Sequence, residues 1–304
     1  MDTLGSTFRE FVGEVMRLSK SPAFVTKENV YQEGNADILP FLDKMVEHLI
    51  LPGSGLDGLS NLEELLEKAE SGKSCLLLPE HYSNLDLSLI SYLVRKAGGR
   101  GEDISRAMTA IAGMKLNEDN PVVSAFASAY TRIVIYPSRS LQNLEKNKAN
   151  VVRGSAINRA ALKVLTEIKN KGRLILIFPS GTRYRPWDPS TKRGVREIYS
   201  YVKSFDYMCL VAINGEVLHV REGDMLEDTV SKDVVRITVG PVLSCQEFIN
   251  DVKAKVDSGV LITGNTATDK KQAVPDSIMA ELEKMHISGE ERRKQFESIS
   301  KHKF

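Results

Sequence analysis

The sequence has few cysteines, no excess of either charge and no long apolar run. Its 304 residues include three cysteines, and no two of them form a C-x-x-C pair. This excludes zinc ribbons and thioredoxin-type redox sites, and a sparse, odd number of cysteines is typical of a reducing compartment. H-E-x-x-H is absent as well, so a zincin is not indicated, and nothing in the sequence implies a metal or another cofactor.

Charge and hydropathy disfavour two further classes. The 41 Lys and Arg residues against 40 Asp and Glu give a net charge of +1, so we expect no nucleic-acid partner bound by bulk positive charge. Every apolar run is far shorter than the ~20 residues that span a bilayer. The first residues also lack the basic and apolar segments of a secretory signal. We therefore expect a cytoplasmic protein, with peripheral contact at the inner face of a membrane left open.

The order of the apolar patterns indicates the fold class. In the first 70 residues apolar side chains recur at helical spacing, which predicts helices at 8–16, 38–50 and 60–66. From residue 71 onward, short continuous apolar runs alternate with helical patterns. These runs predict buried strands at 76–78, 107–112, 133–135, 174–178 and 208–213. The alternation predicts an α/β protein with a mainly parallel sheet flanked by helices. We expect a small N-terminal helical unit at 1–70 and an α/β domain at 71–304.

A histidine and an aspartate follow the first strand of the α/β region. His81 lies in a short loop, and Asp86, five residues later, opens the next helix. The chain can therefore turn back so that the carboxylate holds one imidazole nitrogen and leaves the other free to accept a proton. Since an ordinary histidine titrates near neutral pH, we predict that His81 is a general base and that Asp86 orients it.

The same spacing occurs a second time, at His219 and Asp224. No buried strand ends at His219, and the stretch from 216 to 228 is charged and loop-like. We therefore interpret His219 as a surface-loop histidine.

A turn with two arginines follows the strand at 174–178. It reads Phe178-Pro179-Ser180-Gly181-Thr182-Arg183-Tyr184-Arg185-Pro186. Loops at the carboxyl ends of parallel strands share one edge of a sheet, where ligands bind, so His81 and Arg183 should lie at the same edge. Arg183 and Arg185 suit a phosphate or a carboxylate through bidentate hydrogen bonds. The alternative is a structural turn with solvated arginines.

Together, His81-x-x-x-x-Asp86 and Phe178-Pro179-x-Gly181-Thr182-Arg183 resemble the motifs of glycerolipid acyltransferases, over about residues 70 to 245. The likeness is closer to the soluble, chloroplast-type glycerol-3-phosphate acyltransferases. That class also has serine at the position of Ser180 and a second arginine followed by proline. Its middle block, in which a basic residue follows a hydrophobic strand, is similar to the run from Ala112 to Arg139. Ser140, which comes next, stands where the class has histidine.

The resemblance implies an enzyme that moves a fatty acyl group from an acyl-carrier protein or coenzyme A thioester to the sn-1 hydroxyl of glycerol-3-phosphate. The product would be lysophosphatidate, a phospholipid precursor. His81 would be the base, and Arg139, Arg183 and Arg185 would bind the phosphate. Further candidate contacts are Lys115, Ser140, Ser180, Gly181 and Thr182. Backbone N–H groups between Pro179 and Thr182 are candidates for the oxyanion site. In a plastid protein the location would be the stroma.

Three alternatives stay open at this point. A lysophosphatidate acyltransferase would use the same base on the position 2 hydroxyl, although Ser180 and the Arg183-x-Arg185 run favour glycerol-3-phosphate. A non-catalytic lipid-binding protein would keep the same scaffold, but it would tend to lose His81 or Asp86. An unrelated α/β binding domain would place His81 far from Arg183.

Overall fold

The computed structural model describes residues 2–22, 24–118, 120–137, 148–223, 225–260 and 269–301. The strands are β1 (Tyr31–Gln32), β2 (Gly55–Asp57), β3 (Cys75–Pro79), β4 (Met108–Gly113), β5 (Arg132–Ile135), β6 (Leu174–Leu176), β7 (Tyr207–Asn214), β8 (Leu218–His219), β9 (Thr229–Val230), β10 (Arg236–Val239) and β11 (Leu243–Ser244). The helices are α1 (Leu4–Thr7), α2 (Arg9–Leu18), α3 (Leu39–Leu49), α4 (Leu59–Glu70), α5 (Asp86–Lys96), α6 (Gly101–Ala107), α7 (Lys115–Glu118), α8 (Pro121–Ala127), α9 (Lys148–Ile168), α10 (Ile198–Ser204), α11 (Cys245–Asp257) and α12 (Lys270–Lys301).

Nine of these strands form one sheet, in the order β1-β5-β4-β6-β3-β7-β10-β2, with β11 also paired to β7. The five strands from β5 to β7 in that order are parallel to one another. Strand β1 runs antiparallel to β5, and β10 and β11 both run antiparallel to β7, whereas β10 and the edge strand β2 are parallel. The predicted α/β fold with a mainly parallel sheet flanked by helices is confirmed.

The central strand β3 is buried along its whole length, which explains its continuous apolar sequence. Successive side chains of a strand point to opposite faces of the sheet. Leu77 accordingly packs into a core shared with α1 to α6 and α8, whereas Leu76 and Leu78 pack into a second core shared with α9 to α12. The sheet is thus the middle of three layers, and it holds the ends of its strands in fixed positions.

The first 70 residues contain the expected helices, at α2, α3 and α4. They also supply both edges of the sheet, because β1 pairs with β5 and β2 pairs with β10. Their side chains join the same core as the following helices. The division into a unit at 1–70 and a domain at 71–304 stays a prediction.

Helix α6 was not predicted from the sequence. The structure shows why Gly101 is needed at the start of this helix: a Cβ there would lie 2.1 Å from the carbonyl oxygen of Val94. The charged C-terminal stretch continues helix α12 as far as Lys301. Among the described helices, none combines the length and the apolar character that a membrane crossing requires.

Candidate active site

The loop between β3 and α5 places a buried carboxylate against a histidine. Asp86 Oδ2 lies 2.9 Å from His81 Nδ1. The side chain of Asp86 also accepts the backbone N–H groups of Tyr82 at 2.6 Å and Ser83 at 2.9 Å, and the Ser83 hydroxyl at 2.8 Å. Asp86 is 2% exposed and lies in the first turn of α5, where the helix dipole favours a negative charge. Four hydrogen bonds therefore fix the carboxylate, and the carboxylate fixes the imidazole.

The second nitrogen of His81 is left to solvent and substrate. Because a carboxylate accepts hydrogen bonds, Nδ1 carries the ring proton and Nε2 is the acceptor. In the part of the chain that the structure describes, Nε2 has no hydrogen-bond partner, and the His81 side chain is 16% exposed. The ring of Phe178 stacks on the imidazole, with the centroids 3.9 Å apart and the planes at 16°. An oriented imidazole with one free acceptor nitrogen can act as a general base.

The turn after β6 meets the His81 loop at the same sheet edge. The N–H of Gly181 donates to the carbonyl of Phe178 at 2.9 Å, and Gly181 has a φ of +66°, which glycine adopts without strain. The N–H of Tyr184 donates to the carbonyl of His81 at 2.8 Å. Arg183, the residue before Tyr184, is therefore brought close to His81. This arrangement contradicts the alternative in which the two motifs lie apart.

The same turn shows which backbone donors remain for an oxyanion. Pro179 has no N–H, and the N–H of Gly181 is used within the turn. The hydroxyl of Ser180 is used too, since it donates to the carbonyl of Thr182 at 2.7 Å. As far as the described residues show, the N–H groups of Ser180 and Thr182 have no partner. The backbone amides of Ser180 and Thr182 are therefore the remaining candidates in this turn for donors to an oxyanion.

The two arginines of the turn differ in their surroundings. Arg183 Nη1 donates to Asp228 Oδ2 at 3.2 Å, and Asp228 is 1% exposed. The other oxygen of this carboxylate accepts the N–H of Arg221 at 2.8 Å. Arg185 is exposed, and no ion pair or hydrogen bond of its guanidinium is seen within the described ranges. Both arginines can therefore present N–H groups to an anion, Arg183 from a fixed position.

For several other predicted residues the structure describes no side-chain contacts. Arg139 and Ser140 lie outside the described residues, as does Asp224. Lys115 opens α7, but its side chain is outside what the structure describes.

His219 was expected in a loop, whereas the structure places it in β8, paired with β9. Its Nε2 lies 2.7 Å from the Ser231 hydroxyl and its Nδ1 lies 3.2 Å from Glu216. With both nitrogens occupied, His219 is not arranged as His81 is.

A second polar cluster next to His81 was missed from the sequence. Glu80 is 5% exposed and accepts the Tyr82 hydroxyl at 2.9 Å, His286 Nδ1 at 3.0 Å and the N–H of Ile213 at 2.8 Å. Burial lowers the pKa of His286, but the hydrogen bond and the charge of Glu80 outweigh it, so the pKa lies above the ordinary 6.5. Burial and the nearby charge of Glu80 raise the pKa of Tyr82.

Two signals could have pointed to this cluster. A glutamate directly follows a fully apolar strand at Glu80, and a charge in that position needs partners. His286 also lies four and eight positions after two buried residues of the same helix, Leu282 and Ile278, and so faces the sheet.

Comparison with known proteins places this site in a family. The family model described as Acyltransferase matches residues 60–223, more than half of the chain. The chain belongs to the acyltransferase family. The matched region includes His81, Asp86 and the turn from 178 to 186. It ends before Asp228 and His286, so their contacts with the acyltransferase site come from the part of the chain beyond the match.

One curated relative is named glycerol-3-phosphate acyltransferase, chloroplastic, from Arabidopsis thaliana. The acyltransferase described here is 28% identical to it over 156 residues, which are 51% of this chain and 32% of the relative. The aligned region thus spans about a third of the relative's own length.

Proposed function

We propose that this acyltransferase moves a fatty acyl group from a thioester to the sn-1 hydroxyl of glycerol-3-phosphate, giving lysophosphatidate. The observation that supports it is the pairing, at one sheet edge, of a free imidazole nitrogen on His81 with the guanidinium groups of Arg183 and Arg185. An acceptor with a hydroxyl and a phosphate fits a base beside cations. The printed name of the Arabidopsis relative supports the same acceptor.

In this reaction His81 accepts one proton from the acceptor and later donates it to the leaving group. Nε2 takes the proton of the glycerol hydroxyl while the oxygen attacks the thioester carbonyl carbon. Asp86 stabilises the imidazolium that forms, as carboxylates do in hydrolase triads. The C–S bond then breaks, and the leaving thiolate takes the proton from His81. The base is restored, the ester oxygen comes from the acceptor, and no acyl-enzyme forms.

The remaining groups bind charge. Arg183 and Arg185 hold the phosphate of the acceptor, and the resemblance adds Arg139 to them. The N–H groups of Ser180 and Thr182 donate to the oxygen that becomes negative during attack, a role in which fixed donors act strongly. Acyl-carrier protein or coenzyme A supplies the acyl group. We also propose peripheral contact with a membrane, because the water-insoluble product has to leave the site.

The test is thiol release from palmitoyl-coenzyme A and from palmitoyl-acyl-carrier protein, with four acceptor conditions: glycerol-3-phosphate, lysophosphatidate, glycerol or none. We expect release with glycerol-3-phosphate and lysophosphatidate as its product by mass spectrometry. Glycerol, which lacks the phosphate, should support little release at the same concentration, because Arg183 and Arg185 then have nothing to bind.

Two outcomes would contradict the proposal. Release with lysophosphatidate alone would keep the chemistry of His81 and make the protein a lysophosphatidate acyltransferase. No release with either donor and any acceptor would favour a non-catalytic lipid-binding protein on the same scaffold.

A further inference from the structure

A second histidine–carboxylate pair lies directly behind the catalytic loop. Glu80 and Tyr82 flank His81 in the sequence, and His286 reaches them from helix α12, 206 positions after Glu80. Three donors converge on the buried Glu80 carboxylate: the Tyr82 hydroxyl, His286 Nδ1 and the N–H of Ile213. A buried carboxylate is stable only when such partners surround it. Without His286, Glu80 would lose one of these three donors.

Tyr82 connects this pair to the candidate catalytic residues. Its hydroxyl donates to Glu80 at 2.9 Å and lies 3.3 Å from His286 Nδ1. Its backbone N–H donates to Asp86 Oδ2 at 2.6 Å, to the same oxygen that His81 contacts. One residue is therefore fixed at its side chain by Glu80 and at its amide by Asp86. The contact of its hydroxyl with Glu80 thus helps to hold the residue whose amide orients Asp86.

Helix α12 is itself held in place around His286. The side-chain amide of Asn214 donates to the His286 carbonyl at 2.9 Å, and Arg293 pairs with Asp233 at 2.8 Å. On the other side, Lys192 contacts Glu283 of the helix at 3.2 Å and lies over the Tyr82 ring, 5.9 Å from its centroid. His286 therefore contacts the loop between β3 and α5 from a helix whose position is fixed.

We propose that His286 is a positioning residue for acyl transfer, because its ion pair with Glu80 holds Tyr82 and Tyr82 holds Asp86 against His81. The inference rests on the proposed function for its kinetic consequences, but the structural link from His286 to His81 can be measured without it. Glu80 and Tyr82 lie within the residues that match the family model, whereas His286 of α12 lies beyond them.

The charges around His286 set the sign of the pH dependence. Burial lowers its pKa, as Lys192 does, while the hydrogen bond and charge of Glu80 on the loop and the charge of Glu283 on the same helix raise it; the net direction is upward from 6.5. The pKa of Tyr82 is raised, so its hydroxyl stays neutral near neutral pH. The ion pair is therefore complete below 6.5, and its positive charge is lost as the pH rises through the pKa of folded His286. Turnover should fall on that alkaline side.

The kinetic test compares four variants with the wild-type enzyme. His286→Phe and Tyr82→Phe should lower kcat roughly 10- to 100-fold and leave KM for glycerol-3-phosphate unchanged, because small misplacements of a catalytic group cost that much. His286→Asn keeps an N–H in the place of Nδ1, so it should retain more activity than His286→Phe and lose the alkaline fall in kcat. The control is His219→Phe, since His219 also pairs with a glutamate but lies in the β8–β9 hairpin. We expect it to keep the wild-type profile.

The structural test follows the imidazole signals of ¹⁵N-histidine-labelled protein by NMR between pH 5 and 9, assigned with His286→Asn and His81→Gln. We expect His286 to titrate above 6.5 and the His81 signal to shift with it, and this second shift should vanish in His286→Asn and in Tyr82→Phe. If His286→Phe does not fold, Tyr82→Phe and the NMR titration still show whether His286 is linked to His81.

Unchanged kcat in Tyr82→Phe, or a His81 signal that does not follow His286, would overturn the proposal. An unreactive wild type with the NMR coupling intact would reject the proposed function and leave the link between His286 and His81 standing.

Discussion

The ring of Phe178 lies flat against the imidazole of His81, 3.9 Å away between centroids. The two residues follow β6 and β3, which are parallel neighbours in the sheet. Asp86 holds one edge of the imidazole and Phe178 covers one face, so Nε2 is the part left to a substrate. The two sequence motifs are therefore in direct contact, and together they fix the orientation of the imidazole.

Phe178→Leu should lower kcat roughly 2- to 10-fold, because aromatic pairs gain about 0.5–1.5 kcal/mol from their geometry beyond apolar burial. Leucine keeps the site apolar but does not hold the imidazole plane. Phe126→Leu is the matched control, since Phe126 is a buried aromatic of α8 and belongs to neither site loop. Steady-state kinetics with glycerol-3-phosphate check this, and equal kcat for both variants would show that the stack has no role in turnover.

Asp86→Asn should lower kcat on the order of 10³-fold or more, as replacement of the orienting carboxylate does in hydrolase triads. The amide nitrogen cannot accept the hydrogen bonds that now come from His81, Tyr82 and Ser83. Asp206→Asn is the control, because Asp206 also accepts a serine N–H and hydroxyl, both from Ser74, but at the opposite end of β3. Asp206→Asn should lower the melting temperature and keep kcat. Comparable loss of kcat in both variants would mean that Asp86 acts only through folding.

Asp228→Asn should raise KM for glycerol-3-phosphate roughly 10-fold with little change in kcat, because a hydrogen bond to a charged group is worth about 1.5–3 kcal/mol. Without the buried carboxylate, Arg183 loses the partner that fixes one end of its guanidinium. Asp276→Asn is a matched control, since Asp276 pairs with Arg193 farther along the same loop. A KM that is the same in both variants and in the wild type would remove Arg183 from the phosphate site.

The three cysteines should not react in the native protein. Cys75, Cys209 and Cys245 are all fully buried. Burial raises the pKa of Cys75 and of Cys245 to about 12, so neither forms the reactive thiolate near neutral pH. Titration with a disulfide reagent should find no fast-reacting thiol in the native state and three after denaturation. Fast reaction of a thiol in the native protein would contradict the described packing, and it would also disturb assays that count released thiol.

The parts of the site that could be predicted from sequence are local. His81 and Asp86 are separated by one loop and the first residue of a helix, so their spacing alone allows the contact. The turn at Gly181 likewise needs no distant residue. In the fold, the long apolar strands such as β3 were evident, because burial on both faces leaves a continuous apolar run.

The parts that could not be predicted depend on distant contacts. Asp228 reaches Arg183 across 45 positions and His286 reaches Glu80 across 206. Nothing in the residues around Asp228 distinguishes it from a surface carboxylate until the hairpin is folded over the turn. Strands β1 and β2 have two and three residues, too few for an alternating pattern to show.

Whether His81 is the base is tested by thiol release from palmitoyl thioester with glycerol-3-phosphate, measured for the purified wild type, His81→Ala and His219→Ala. Removal of a general base costs about 10²–10⁴-fold. We predict a loss of that size in His81→Ala, a rate near the wild type in His219→Ala, and the same melting temperature for His81→Ala as for the wild type. Undiminished release by His81→Ala would contradict this prediction.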